Sequence, residues 1–139
     1  MKKILVPIDG SKCSQLAMQK AKELAKAFDS SITVITVVDS IKYLDMEYRY
    51  NAVQKDLAYS KELLKTAEKF FEDLGKEIET VCKTGDVSEE ILNLAEEGDF
   101  DLIVIGSKGM GRFSRAILGS VSQKISQVAK TNVLIVKKP

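Results

Sequence analysis

Five short runs rich in β-branched residues punctuate the chain: KKILVPI at 2–8, SITVITVV at 31–38, EIETVC at 77–82, DLIVIG at 101–106 and NVLIV at 132–136. A helix-period pattern separates each run from the next. Ser11 can cap a first helix whose apolar positions are Cys13, Leu16, Ala17, Ala21, Leu24, Ala25 and Phe28, the i, i+3, i+4 spacing of an amphipathic helix. A longer pattern runs from about Asn51 to Leu74 through Val53, Leu57, Leu64, Ala67, Phe70 and Phe71, and stops at Gly75. Asp86-Val87-Ser88-Glu89 has the form of a capping box and opens a short helix through Ile91, Leu92 and Ala95, closed by Gly98. A last helix is predicted from about Gly119 to Lys130. Strands that alternate with helices pair in parallel through right-handed crossovers. The predicted fold is therefore α/β, a doubly wound five-stranded parallel sheet sandwiched by helices.

At 139 residues the chain has the length of one domain, expected over 1–139. No apolar run approaches the roughly 20 residues that span a bilayer, and no membrane role is expected. MKKILVPIDGS places two lysines before an apolar stretch, but Pro7 and Asp9 break that stretch well short of a signal-peptide core of about 7–15 residues. The expectation is a strand in a cytoplasmic protein. Cys13 and Cys82 form no CxxC or metal-like pattern, and the chain has no histidine. The commonest general base is thereby missing, so most hydrolase chemistry is disfavoured.

Charge is distributed unevenly. All 20 acidic residues lie in the first 101, against 14 of the 21 basic ones, a net of −6. The last 38 residues hold the other seven, among them Lys108, Arg112 and Arg115, and no acid. An acid-free segment points to an anionic ligand. Four of the eight glycines fall in the same region, IGSKGMGRFSRAILGSVSQKI from Ile105 to Ile125.

Two common phosphate-binding devices do not fit it. Counting from Gly106, a GxxxxGK[ST] loop reaches Gly111 but continues Arg112-Phe113. A GxGxxG fingerprint starting at Gly109 has Ser114 where its third glycine belongs, and it follows the fourth strand instead of the first. What remains is Gly106, two residues, Gly109, nine residues, then Gly119-Ser120-Val121-Ser122. Glycine lets backbone approach a ribose and phosphate without a Cβ in the way. Gly119-Ser120 opens a helix whose first N–H groups and positive dipole end suit phosphate, and the Ser120 and Ser122 hydroxyls can add hydrogen bonds.

This spacing resembles the ATP-binding motif of the universal stress protein family. VPIDGS at the first strand end, TVVD at the second, the TGD turn after the third and NVLIVKK near the C-terminus resemble that family as well, so the likeness covers the whole chain. It implies a Rossmann-like fold of the adenine nucleotide α-hydrolase type, with ATP, accompanied by Mg2+, as the ligand. It implies ATP contacts from Pro7, Ile8 and Asp9, from Val37, from Ile105 and Gly106, from Lys108, Gly109 and Arg112, and from Gly119, Ser120, Val121 and Ser122. Asp9 would lie near the adenosine or hold the metal, with turn residue as the plainer account. The backbone of Val37 would lie against the adenine, although a core strand side chain explains that residue equally well. Pro7 has a simpler role in shaping the turn. Lys108 and Arg112 are either phosphate partners or solvated loop cations. Cys13 is read as a buried, inert residue on the apolar face of the first helix.

The resemblance further implies a homodimer formed by antiparallel pairing of the last strand, Asn132 to Val136, and no nucleic-acid partner. The tyrosine-rich stretch SIKYLDMEYRYN, 40–51, is either a lid or packing for the helix after it. Three functions are carried forward. The first is an ATP-binding stress-response regulatory protein, acting through conformation or partner binding. The second is a slow ATP hydrolase or nucleotide-transferring enzyme on the same fold. The third is a ligand-free interaction module.

Overall fold

The computed structural model describes residues 1–41, 49–109 and 118–139. Arg112, Arg115 and most of the tyrosine-rich stretch lie outside these. Five parallel strands form one sheet: β1 (Lys3–Pro7), β2 (Ser31–Asp39), β3 (Glu79–Gly85), β4 (Leu102–Gly106) and β5 (Asn132–Val136). Their spatial order is β3-β2-β1-β4-β5, so the chain winds outward from β1 in one direction and then resumes on its other side at β4. Four helices complete the order: α1 (Lys12–Phe28), α2 (Arg49–Phe70), α3 (Val87–Glu97) and α4 (Ser120–Val128). The predicted α/β architecture is the one observed. Among the described residues no helix is long and apolar enough to cross a membrane.

Strand alternation divides the core in two. Ile4, Val6, Ile32, Val34 and Val104 meet α1 through Ala17, Met18 and Ala21 and α2 through Leu64 and Ala67. Leu5, Ile35, Ile103 and Ile105 face the other way, onto Ile91 and Ala95 of α3 and Ile125 of α4. Central β1 and β4 are buried along almost their whole length, as their unbroken apolar sequences require.

Boundaries follow the capping chemistry. Ser11 Oγ accepts the Ser14 N–H at the start of α1, and an Asp86 carboxylate oxygen accepts the Glu89 N–H at the start of α3. Two elements depart from their predicted limits. Helix α2 ends at Phe70, and Glu72–Leu74 form a separate 3-10 turn closed by Gly75 at φ 70°. Strand β3 extends through Thr84 and Gly85, which were expected in a turn, because pairing with β2 continues to Asp39↔Gly85. This is an edge strand, so its polar residues reach solvent without ending the ladder.

Candidate functional site

In an open α/β sheet, ligands collect beyond the carboxyl ends of the strands where the winding direction reverses. That point lies here between β1 and β4, and a cavity of about 280 Å3 opens there. Pro7, Ile8 and Asp9 reach it from the end of β1, Val37 from β2, and Ile105 and Gly106 from β4. Lys108 and Gly109 follow in the loop, and Gly119, Ser120, Val121 and Ser122 form the start of α4. All the sequence-predicted site residues therefore line one space, except Arg112, which lies outside the described residues.

Sequence reasoning missed Ser14, Ile35, Val87 and Ile91, which also line it. A signal for each was present. Ile35 lies two residues before Val37 and so shares its face, and Val87 and Ile91 are i, i+4 neighbours on α3. Ser14 stands in the first turn of α1, directly after the end of β1.

One side of the cavity is apolar. Ile35, Ile91 and Ile105 belong to a single buried cluster, with Val37, Val87 and Val121 packed against it. Backbone polarity reaches this side at Val37. The Ile35 carbonyl accepts the Ile8 N–H at 2.9 Å on the side of β2 that faces β1. Backbone groups alternate along a strand, so Val37 turns its N–H and C=O to that same side, just where β1 has ended at Pro7.

The other side is polar. Asp9 is the one carboxylate among the described lining residues. Its Oδ1 accepts the Ser11 N–H at 2.9 Å, which fixes the carboxylate, while Oδ2 is directed at Gly109. A Cβ on Gly109 would sit 2.8 Å from that oxygen. Among the described residues no side chain caps helix α4 at Gly119, so its first-turn N–H groups have no side-chain acceptor there.

Three expectations about individual groups are revised. Gly106 was read as giving room to a ligand, but a Cβ there would lie 2.6 Å from the carbonyl carbon of Cys13. Its role is close packing of β4 against the first turn of α1. Gly109 gives room to the Asp9 carboxylate. The Ser122 hydroxyl was expected to face phosphate, yet it donates to the Ser107 carbonyl at 2.7 Å and lies 3.1 Å from that of Gly119. Its proton is committed within the protein. Cys13 is buried, as read, with its Sγ 3.8 Å from Ser107 Oγ.

A parallel sheet with this strand order, flanked by helices and with a cavity where its winding reverses, defines the class of Rossmann-like α/β proteins. Within it, the sequence model described as the Universal stress protein family matches residues 1–137. The chain belongs to the universal stress protein family. It is 36% identical over 141 residues to universal stress protein MJ0531 of Methanocaldococcus jannaschii, covering 99% of this chain and 83% of that one. The solved structure of hypothetical protein MJ0577 superposes with a TM-score of 0.89 at 27% identity, covering 99% of this chain and 96% of the other. A universal stress protein crystallised in complex with cAMP superposes with a TM-score of 0.74, also at 27% identity, covering 97% and 96%.

Proposed function

We propose that this protein is an ATP-binding stress-response regulator, a single nucleotide-binding unit over residues 1–139 that signals through a nucleotide-dependent change of conformation or partner. One observation carries the reading: the ends of β1, β2 and β4 and the start of α4 converge on one cavity whose two sides differ in chemistry. The apolar side suits an adenine ring, and the Val37 N–H and C=O offer it one donor and one acceptor. Asp9 Oδ2 suits a ribose hydroxyl. The first turn of α4 suits phosphate. The related protein crystallised with cAMP supports an adenine nucleotide as the ligand class.

Pro7 and Ile8 shape the floor of this site, Gly106 sets the loop against α1, and Gly109 keeps Asp9 in place. Ser120, exposed at the first position of α4, has a hydroxyl suited to phosphate, and Lys108 and Arg112 are the cations proposed to meet it. Among the described residues no group of three His, Cys, Asp or Glu is arranged to hold a metal ion. Mg2+ would therefore arrive with the phosphates, with Asp9 as the carboxylate nearest to hand among the described lining residues.

The quaternary reading is a homodimer paired through β5. This strand is an edge of the sheet, and Val133 to Val136 are only half-buried. Cytoplasmic residence accords with two cysteines that form no disulfide.

Denaturing freshly purified protein and identifying any nucleotide released tests the ligand, followed by titration with ATP, AMP and GTP. The expected result is an adenine nucleotide in the supernatant and saturable ATP binding, with GTP weaker. No binding at millimolar ATP would contradict the proposal. Phosphate release over hours, against heat-killed protein, separates a binder from a slow hydrolase.

A further inference from the structure

Four groups converge on the single residue Ser107, immediately after β4. Its N–H donates to the carbonyl of Val136, the last residue of β5, at 2.8 Å. Its carbonyl accepts the Gly119 N–H at 2.8 Å and the Ser122 hydroxyl at 2.7 Å. Its own hydroxyl meets Cys13 Sγ. Ser107 is 4% exposed and Ser122 2%, so these bonds are shielded from water.

Among the described residues the amino end of α4 has no other hydrogen bond of this kind. Gly119 supplies no side chain, and no side chain caps the helix. Beside the apolar packing of Val121 and Ile125, its polar attachment to the end of β4 is made by the Gly119 N–H and, one turn further in, by the Ser122 hydroxyl. Both bonds end on the same oxygen. A hydroxyl that spans from inside the first turn to the strand end fixes both the distance and the tilt of that turn. With the Gly119 bond alone, the tilt of the turn is set only by the non-directional packing of Val121 and Ile125.

We infer that Ser122 is a positioning residue for the phosphate cradle, acting through the Ser107 carbonyl and not as a donor to phosphate. The inference rests on the nucleotide reading given above. Its consequence is selective. Ligands that engage the start of α4 depend on Ser122, whereas a ligand held only by the apolar side and Asp9 does not. The exposed Ser120 hydroxyl, by contrast, is free to face a ligand directly without changing the fastening of the helix.

The test compares wild type with Ser122→Ala, Ser122→Cys and Ser120→Ala in the full chain. Calorimetry measures affinity for ATP, AMP and adenosine, and hydrogen exchange of the Gly119 amide is followed in ligand-free protein. Ser122→Ala is expected to weaken ATP and AMP by about tenfold, the scale of one lost buried hydrogen bond. Adenosine should stay within about twofold, and the Gly119 amide should exchange faster before any ligand is added. A thiol is a weaker donor than a hydroxyl, so Ser122→Cys should fall between Ala and wild type. Should the alanine variant fail to fold, this cysteine variant carries the comparison. Ser120→Ala should leave Gly119 exchange unchanged. An unaltered Gly119 amide in both Ser122 variants, or equal losses for adenosine and ATP, would overturn the inference while leaving nucleotide binding intact. If wild type itself binds no adenine ligand, the nucleotide reading fails and this inference fails with it.

Discussion

Gly106 and Gly109 look alike in the sequence, three residues apart in one motif, but they are glycines for different reasons. At Gly106 any Cβ would meet the backbone of Cys13, which cannot move without displacing α1. At Gly109 it would meet Asp9 Oδ2, the end of a side chain that can shift, at the expense of its Ser11 bond, where packed backbone cannot. Gly106→Ala should therefore cost about 1–3 kcal/mol of stability, as overpacking does, read from the denaturant midpoint. Gly109→Ala should leave that midpoint nearly unchanged and instead weaken adenosine and ATP to a similar degree. Equal destabilisation by the two substitutions would show that this distinction is wrong. A second residue-scale prediction concerns the opposite end of the sheet. Asp101 accepts the N–H groups of Lys3 and Lys2 at 2.9 and 2.8 Å, and these bonds hold its carboxyl below the usual 3.8. A carboxyl lowered on folding stabilises the protein above its unfolded value and ceases to do so as pH falls through its folded value. Asp73 behaves similarly because Lys22 hydrogen-bonds it. Asp101→Asn should thus flatten part of the acid-side loss of stability below about pH 4, leaving the Asp73 share, in urea titrations run across pH. An unchanged acid limb would contradict the assignment.

Among the elements, β5 is, like β3, an edge strand whose backbone is paired on a single side. Val136 C=O faces β4, where it accepts Ser107 N–H. By alternation, Leu134 and Asn132 face β4 as well, and Val133 and Ile135 turn their N–H and C=O to the open edge. Proline at an outward position removes no ladder bond. Val133→Pro should consequently abolish pairing between two copies while leaving the sheet folded, so that the proposed dimer becomes a monomer in sedimentation. A dimer that survives this substitution would place the contact elsewhere. The elements themselves were legible in the sequence because each strand is a compact β-branched run and each helix shows its apolar period. Less legible were the limits of β3 and α2. Pairing with β2 carries β3 past its apolar residues into Thr84 and Gly85, and no local pattern encodes that. The closing turn Glu72–Leu74 of the α2 region continues the helical period with a tighter geometry, so it reads as helix.

For the whole molecule, the candidate site was legible to an unusual degree because one long motif and the strand ends carry it. What the sequence could not supply was how each group is used. Ser122 was read as facing a ligand, and its hydroxyl turns inward to Ser107, a residue that no spacing rule singles out. Of the apolar residues of α3 that line the cavity, Val87 reads only as part of a capping box and Ile91 as ordinary helix core until the sheet brings them beside Val37. The central claim is that the cavity between the ends of β1, β2 and β4 and the start of α4 holds an adenine nucleotide, base toward β2 and phosphates toward α4. Backbone amide shifts measured by NMR during titration with ATP and with adenosine test it most directly. The account predicts that ATP moves the amides of Val37, Gly119 and Ser120 together, whereas adenosine moves Val37 and leaves the two at α4 nearly in place. Amides of the cavity that stay fixed at millimolar ATP, or Val37 unmoved while others respond, would contradict it.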